Sequence, residues 1–177
     1  MKNNVYTPPT ADQINFRVQS FFPKGQPTPQ GAVLLAYKDA RYDIKMLDKL
    51  YGKFGWKKGY ELIDNNLYCT VSVKDPDSEE WVSKQDVGTE SNQEKEKGQA
   101  SDAFKRACFN WGLGLELYDF PSIIIMNKKN ETQREFDRRL RNAEWFVQYD
   151  ENNKVSYLGA INRKDNTVMF QHGNLKK

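Results

Sequence analysis

Apolar residues in the middle of the chain change their spacing twice, and each change marks an element. From residue 95 onward Ala100, Ala103, Phe104, Ala107, Cys108 and Trp111 recur at intervals of three and four, which puts them on one stripe of a helix. Lys105, Arg106 and Phe109 fall on the opposite side. Ser91 followed three residues later by Glu94 reads as a capping box at the start of that helix. Upstream, Asp39 can cap a helix running through Leu50, with Ile44, Leu47 and Tyr51 on one face and Gly52 and Gly55 ending it. Between the two helices the period is two. Leu67, Cys69, Val71 and Val73 alternate with Tyr68, Thr70, Ser72 and Lys74, inside a predicted three-stranded antiparallel meander of Trp56 to Ile63, Leu67 to Val73 and Glu80 to Val87. Turn residues Asp64, Asn65 and Asn66, then Lys74 to Asp77, separate the strands.

The flanks are less regular. Thr10 to Gln13 reads as a second capping box, introducing a short helix with Ile14, Phe16, Val18 and Phe21 before the connector PKGQPTPQG and a brief strand at Val33 to Tyr37. Beyond Pro121, Ser122 to Met126 is a strand or a docking segment, and NKKNETQ is a loop. A helix from about Glu131 to Ala143 then precedes a second small meander of Trp145 to Tyr149, Lys154 to Ile161 and Thr167 to Gln171. The expected class is α+β, as a single domain over residues 1–177.

Composition narrows the function. A chain of 177 residues, 38% hydrophobic and 13% aromatic, can bury a core of its own. The formal charge is +3, so its distribution matters more than its sum: Lys53, Lys57 and Lys58 crowd one turn, Lys105 and Arg106 share a helix, and Arg134, Arg138, Arg139 and Arg141 lie together. Cys69 and Cys108 fall on apolar stripes, and with His172 the only histidine no zinc tetrad can be assembled. No apolar run approaches a membrane span, and the start MKNNVYTPPT lacks the core of a signal peptide, so the protein is expected to stay in the compartment where it is made, the cytoplasm.

Two readings compete for Lys105, Arg106 and Phe109. One is a solvated helix face with Phe109 under another element; the other is a surface that grips a polyanion, cations on phosphates and the ring on a base. Spacing does not decide between them. The string QASDAFKRACFNWGLGLELYD with the preceding KQDVG, and RYDIKMLDKLYGKFGW upstream, resemble the signature of the Rad fifty-two family of single-strand annealing proteins, especially the compact phage and prophage versions. The matching positions are Asp86, Val87, Gly88, Ser101, Asp102, Lys105, Arg106, Ala107, Gly112 and Gly114, with Tyr51, Gly52, Gly55 and Trp56.

That resemblance spans about residues 33–121 and leaves 122–177 as an extension. It implies a helix, a three-stranded meander and a long packed helix. It also implies binding of single-stranded DNA and annealing of complementary strands in recombination and repair, without ATP or any cofactor. A ring or related oligomer and a single-strand-binding protein as partner belong to the same expectation. Carried over residue by residue, Arg41, Lys105 and Arg106 are expected in the main DNA groove and Lys74 on a secondary one. The chain has Phe109 where eukaryotic members carry a cation and Lys53 where they carry a tyrosine, an exchange that suggests Lys53 supplies charge and Phe109 stacking.

Other classes fare less well. No Gly, four residues, Gly-Lys-Ser/Thr loop is present for ATP, and no enzymatic activity is expected. A metal-dependent nuclease would draw on Asp64, Asp75, Asp77, Asp86 and Glu90, most of which occupy turns where Asp serves its own backbone. A protein-interaction module would use Arg134 to Arg141 against an acidic partner.

Overall fold

A computed structural model describes residues 5–89 and 95–175. A turn of 3-10 helix (Ala11–Gln13) leads into β1 (Ile14–Phe22) and β2 (Gly31–Lys38), followed by α1 (Ala40–Tyr51), β3 (Trp56–Ile63), β4 (Asn66–Lys74), β5 (Trp81–Val87) and α2 (Lys95–Phe109). A 3-10 segment (Leu115–Asp119) then precedes β6 (Ile123–Met126), α3 (Gln133–Arg141), β7 (Ala143–Tyr149), β8 (Val155–Asn162) and β9 (Val168–Gly173). The protein is α+β, with sheets ordered β1-β2-β6, β3-β4-β5 and β7-β8-β9. Its residues gather into two units, one of 5–8 and 38–115, the other of 9–37 and 116–175. The division therefore runs through the 33–121 segment. The capping pair Ser91 and Glu94 lies outside the described residues.

In the first unit, β3 and β4 are joined by the two residues Asp64 and Asn65, with φ of 49° and 63°. Left-handed backbone at both positions is what a tight hairpin turn with native strand twist requires, and Asp and Asn tolerate it. Between β4 and β5 the Asp75 carboxylate accepts from the Asp77 backbone N–H at 3.1 Å and the Ser78 hydroxyl at 2.7 Å. The alternation then has its effect: Cys69, Val71 and Val73 are buried on one face of the central strand. Against them α2 places Ala103, Phe104, Ala107 and Cys108, all buried, and each large apolar side chain enclosed this way contributes about 1.5–3 kcal/mol.

α1 opens on Asp39, whose side chain accepts from the Arg41 N–H at 2.6 Å. Its buried stripe is Tyr42, Asp43, Met46 and Leu47, with Ile44 and Tyr51 on the half-buried rim. The expected Ile44–Leu47–Tyr51 face is thus rotated, because the rings and Met46 fill the space beside α2 while Asp43 takes a buried polar role. Trp56 Nε1 donates to Asp48 at 2.7 Å, holding the last turn of α1 to β3.

In the second unit, β2 and β6 pair antiparallel with Leu34 opposite Ile123 and Ala32 opposite Ile125. These four side chains form one buried cluster with Phe136 and Leu140 of α3 and Leu158 of β8. The short helix expected around Ile14 to Phe21 is a strand. The capping box at Thr10 and Gln13 is present but organises only the 3-10 turn. Ile14, Phe16 and Val18 follow at a period of two, and β-branched and aromatic residues at that spacing favour the pleated conformation. Phe16 stacks on Trp145 of β7 with ring centroids 3.7 Å apart. Ser122 to Met126 resolves as a strand, and α3 starts later than expected because Thr132 and Glu135 form a capping box that sets its first turn.

Gly88 ends β5 where a Cβ would stand 2.3 Å from the Gln99 carbonyl oxygen and 2.8 Å from the Ala103 nitrogen. Only a residue without a side chain lets this strand end lie on the α2 backbone. Gly88→Ala is expected to destabilise the protein by about 1–3 kcal/mol in urea unfolding, with the transition slope unchanged.

Candidate nucleic-acid interface

The strand end fixed by Gly88 brings Asp86 beside α2. Arg106 Nε donates to Asp86 Oδ1 at 3.1 Å while its side chain stays 40% exposed, and its terminal nitrogens make no hydrogen bond among the described residues. One residue earlier, Lys105 reaches Asp102 only at 3.9 Å, and that carboxylate already accepts from the Thr89 N–H at 3.1 Å and hydroxyl at 2.9 Å. Arg41, at the first turn of α1, forks onto Asp39 at 2.7 Å and remains 84% exposed. Hydrogen bonds from Arg41 hold the Asp39 carboxyl below its ordinary range, and Lys105 adds a weaker attraction, so the three belong to one electrostatic neighbourhood. Exposed pairs of this kind contribute little to stability and exchange partners readily.

The remaining candidates lie elsewhere. Lys53 is exposed in the turn after α1, and Lys74 pairs with Glu79 at 3.4 Å. The Lys74 backbone N–H donates to the Gly55 carbonyl at 2.8 Å, so these two cations share the far end of α1, roughly 16 Å along its axis from Arg41. Arg41 and Lys105 thus share one neighbourhood, with Arg106 the next residue of α2, and Lys53 and Lys74 form another group. Phe109 is half-buried, and the ammonium of Lys38 sits 4.1 Å from its ring centroid.

Sequence reasoning missed that ammonium. Lys38, at the end of β2, and Asp43 on α1 form an ion pair with both side chains essentially buried. Lys38 Nζ also lies 3.4 Å from the Lys105 carbonyl oxygen, which accepts from it. The other oxygen of Asp43, Oδ2, makes no hydrogen bond among the described residues. Burial lowers the Lys38 pKa and pushes Asp43 up to about 6, against the mutual attraction of the pair. The available signal was a lysine closing the apolar strand GAVLLAY, with an Asp one turn into the helix that follows. Phe54 was also missed. It is 95% exposed between Lys53 and Gly55, in a turn too short to return its ring to the core.

The carboxylates considered for a nuclease are dispersed: Asp64 in the β3–β4 turn, Asp75 and Asp77 in the next loop, Asp86 against Arg106. Glu90 lies outside the described residues. Among the described residues no three His, Cys, Asp or Glu side chains are grouped to hold a metal, and both cysteines are free and buried. No helix among them is long and apolar enough to cross a membrane.

The fold and this helix define an α+β protein with Lys105 and Arg106 side by side on α2. The family model for the Rad52/22 family double-strand break repair protein matches residues 7–136, and the chain belongs to that family. Its members act in DNA repair and recombination, which is the class of work assigned to this protein. A search of curated proteins and one of solved structures gave no match.

Replacing one member of the buried pair, Lys38→Met or Asp43→Leu, is expected to cost about 3–5 kcal/mol, because the other charge is left uncompensated. The double replacement is expected to recover most of that loss, and denaturant titration of the three variants checks it.

Proposed function

We propose that this protein binds single-stranded DNA and anneals complementary strands without ATP, as a non-enzymatic member of its family. The observation that carries the reading is the group Arg41, Lys105 and Arg106. Each cation stands beside a carboxylate yet keeps part of its side chain in solvent, and the terminal nitrogens of Arg106 are unengaged among the described residues. Annealing asks for cations along a track that hold phosphates and leave base edges available, with no base-reading code. Lys53 and Lys74 provide charge at the other end of α1, and Phe54 offers an unobstructed ring there. Base stacking suits Phe54 better than Phe109, one face of which already carries the Lys38 ammonium.

Assembly follows from the same unit. β3 and β5 are the outer strands of the meander, β3 is exposed along most of its length, and Tyr60, Leu62 and Val82 stay open. Exposed edges with apolar side chains favour pairing with another copy, so a ring or related homo-oligomer is the assembly we propose. A single-strand-binding protein as partner, a phage or prophage origin and a cytoplasmic site of action complete the proposal; they rest on the resemblance of the helix and glycine-turn motifs to compact phage members.

Mixing purified protein with two complementary oligonucleotides, in the absence of nucleotide, should yield duplex faster than the oligonucleotides alone. Lys105→Ala with Arg106→Ala should leave the fold intact, weaken single-strand binding irrespective of sequence and reduce the logarithmic salt slope by about 1.4. A folded double variant that anneals at full rate would refute the assignment.

A further inference from the structure

Residues 127–142 contain six of the chain's 27 Lys and Arg but three of its 24 Asp and Glu, so the net charge of +3 resides in this segment and the remaining chain is balanced. On α3, Phe136 and Leu140 define the buried face. Arg134, Arg138 and Arg141 recur at intervals of four and three on the side turned away from it, and all three are exposed. Residues at such intervals have Cβ atoms about 5–6 Å apart, so the guanidinium groups form a row.

The nearby carboxylates are already engaged. Glu131 binds Arg139 at 2.8 Å, Glu135 accepts from Thr132 at 2.9 Å and 2.7 Å, and Asp137 pairs with Arg141. Arg138 is a Coulombic neighbour of Glu135, but neither it nor Arg134 forms an ion pair among the described residues. Further cations border the row: Lys128 is tied to Asp165 at 3.5 Å, and the backbone N–H of Arg163 donates to the Asn142 carbonyl at 3.3 Å, bringing the β8–β9 turn to the end of α3.

We infer that the outer face of α3 is a further DNA surface, separate from those of Arg41, Lys105 and Arg106 and of Lys53 and Lys74, which takes the sugar-phosphate backbone of duplex DNA. The row offers guanidinium groups, each able to grip a phosphate with two parallel N–H donors. It offers no ring for an unpaired base: Phe136, the aromatic residue of α3, is fully buried. Charge without stacking suits a partner whose bases are already paired, since phosphate contacts position a protein on a duplex without reading it. The surface lies apart in sequence from Arg41, Lys105 and Arg106, and its use rests on the DNA-binding reading of the protein.

The test is fluorescence anisotropy of the full chain with a labelled duplex of arbitrary sequence and with a labelled single strand, across a salt series. Arg134→Ala with Arg138→Ala is expected to weaken duplex binding, lower its logarithmic salt slope by about 1.8 and leave the single-strand titration unchanged. Arg134→Lys with Arg138→Lys, which keeps the charge, should retain most of the slope. Wild-type duplex binding that the folded alanine variant reproduces at every salt would overturn the inference. So would a wild-type protein that binds the single strand but no duplex, or displacement of the duplex by polyglutamate as effectively as by unlabelled duplex, which would identify an acidic protein segment as the occupant. Failure to bind either DNA would instead overturn the broader reading of the protein.

Discussion

A lysine and an aspartate enclosed together, Lys38 and Asp43, set the conditions under which the cation-bearing end of the first unit is organised. Removing two charges from water is costly, and the direction of both pKa shifts shows burial outweighing attraction. The gain is geometric. Lys38 places its ammonium against the ring of Phe109 and beside the Lys105 carbonyl, near the C-terminal end of α2, where cations are favoured. Asp43 stands two residues after Arg41, in the same first turn of α1. One pair therefore fixes the relation between the helix that carries Arg41 and the helix that carries Lys105 and Arg106. Gly114, with φ of 73°, completes the enclosure, because a Cβ there would come 2.7 Å from the Lys38 stem.

A division of labour between charges follows. The buried pair is shielded from salt and from ligands and acts on position. The outer cations stand beside half-buried carboxylates, at distances from 2.7 Å to 3.9 Å, which orient them without saturating their donors. In the proposed role, a phosphate arriving at Arg106 would meet a side chain already restrained by Asp86, so less conformational freedom would be lost on contact. In that role the acidic residues among the basic ones would orient the cations for an anion.

Strong local periodicity made the first unit readable in the sequence. The α2 stripe Ala103, Phe104, Ala107 and Cys108 is buried as its spacing requires, and in the central strand β4 the alternating Cys69, Val71 and Val73 turn inward. The Ile14–Phe22 segment failed because a genuine capping signal preceded it, and the alternation after the cap carried more weight than the cap. At the candidate site, Arg41, Lys105 and Arg106 were visible as cations on known helix faces. Lys38 and Asp43 were not, since a lysine at a strand end ordinarily reaches solvent and only the assembled neighbours close over it. Phe109 was placed outward by helix geometry alone, and its half-buried ring lies against that same lysine.

The pairing of β2 with β6 means that a strand made early in synthesis waits for one made roughly ninety residues later, with α1, the first meander and α2 emerging in between. The interrupted unit accordingly stays incomplete while residues 38–115 are assembling. Until Ile123 and Ile125 arrive, Ala32 and Leu34 lack the neighbours that bury them. The nascent chain thus carries a sticky, half-built sheet, a liability met during translation and absent from the finished molecule.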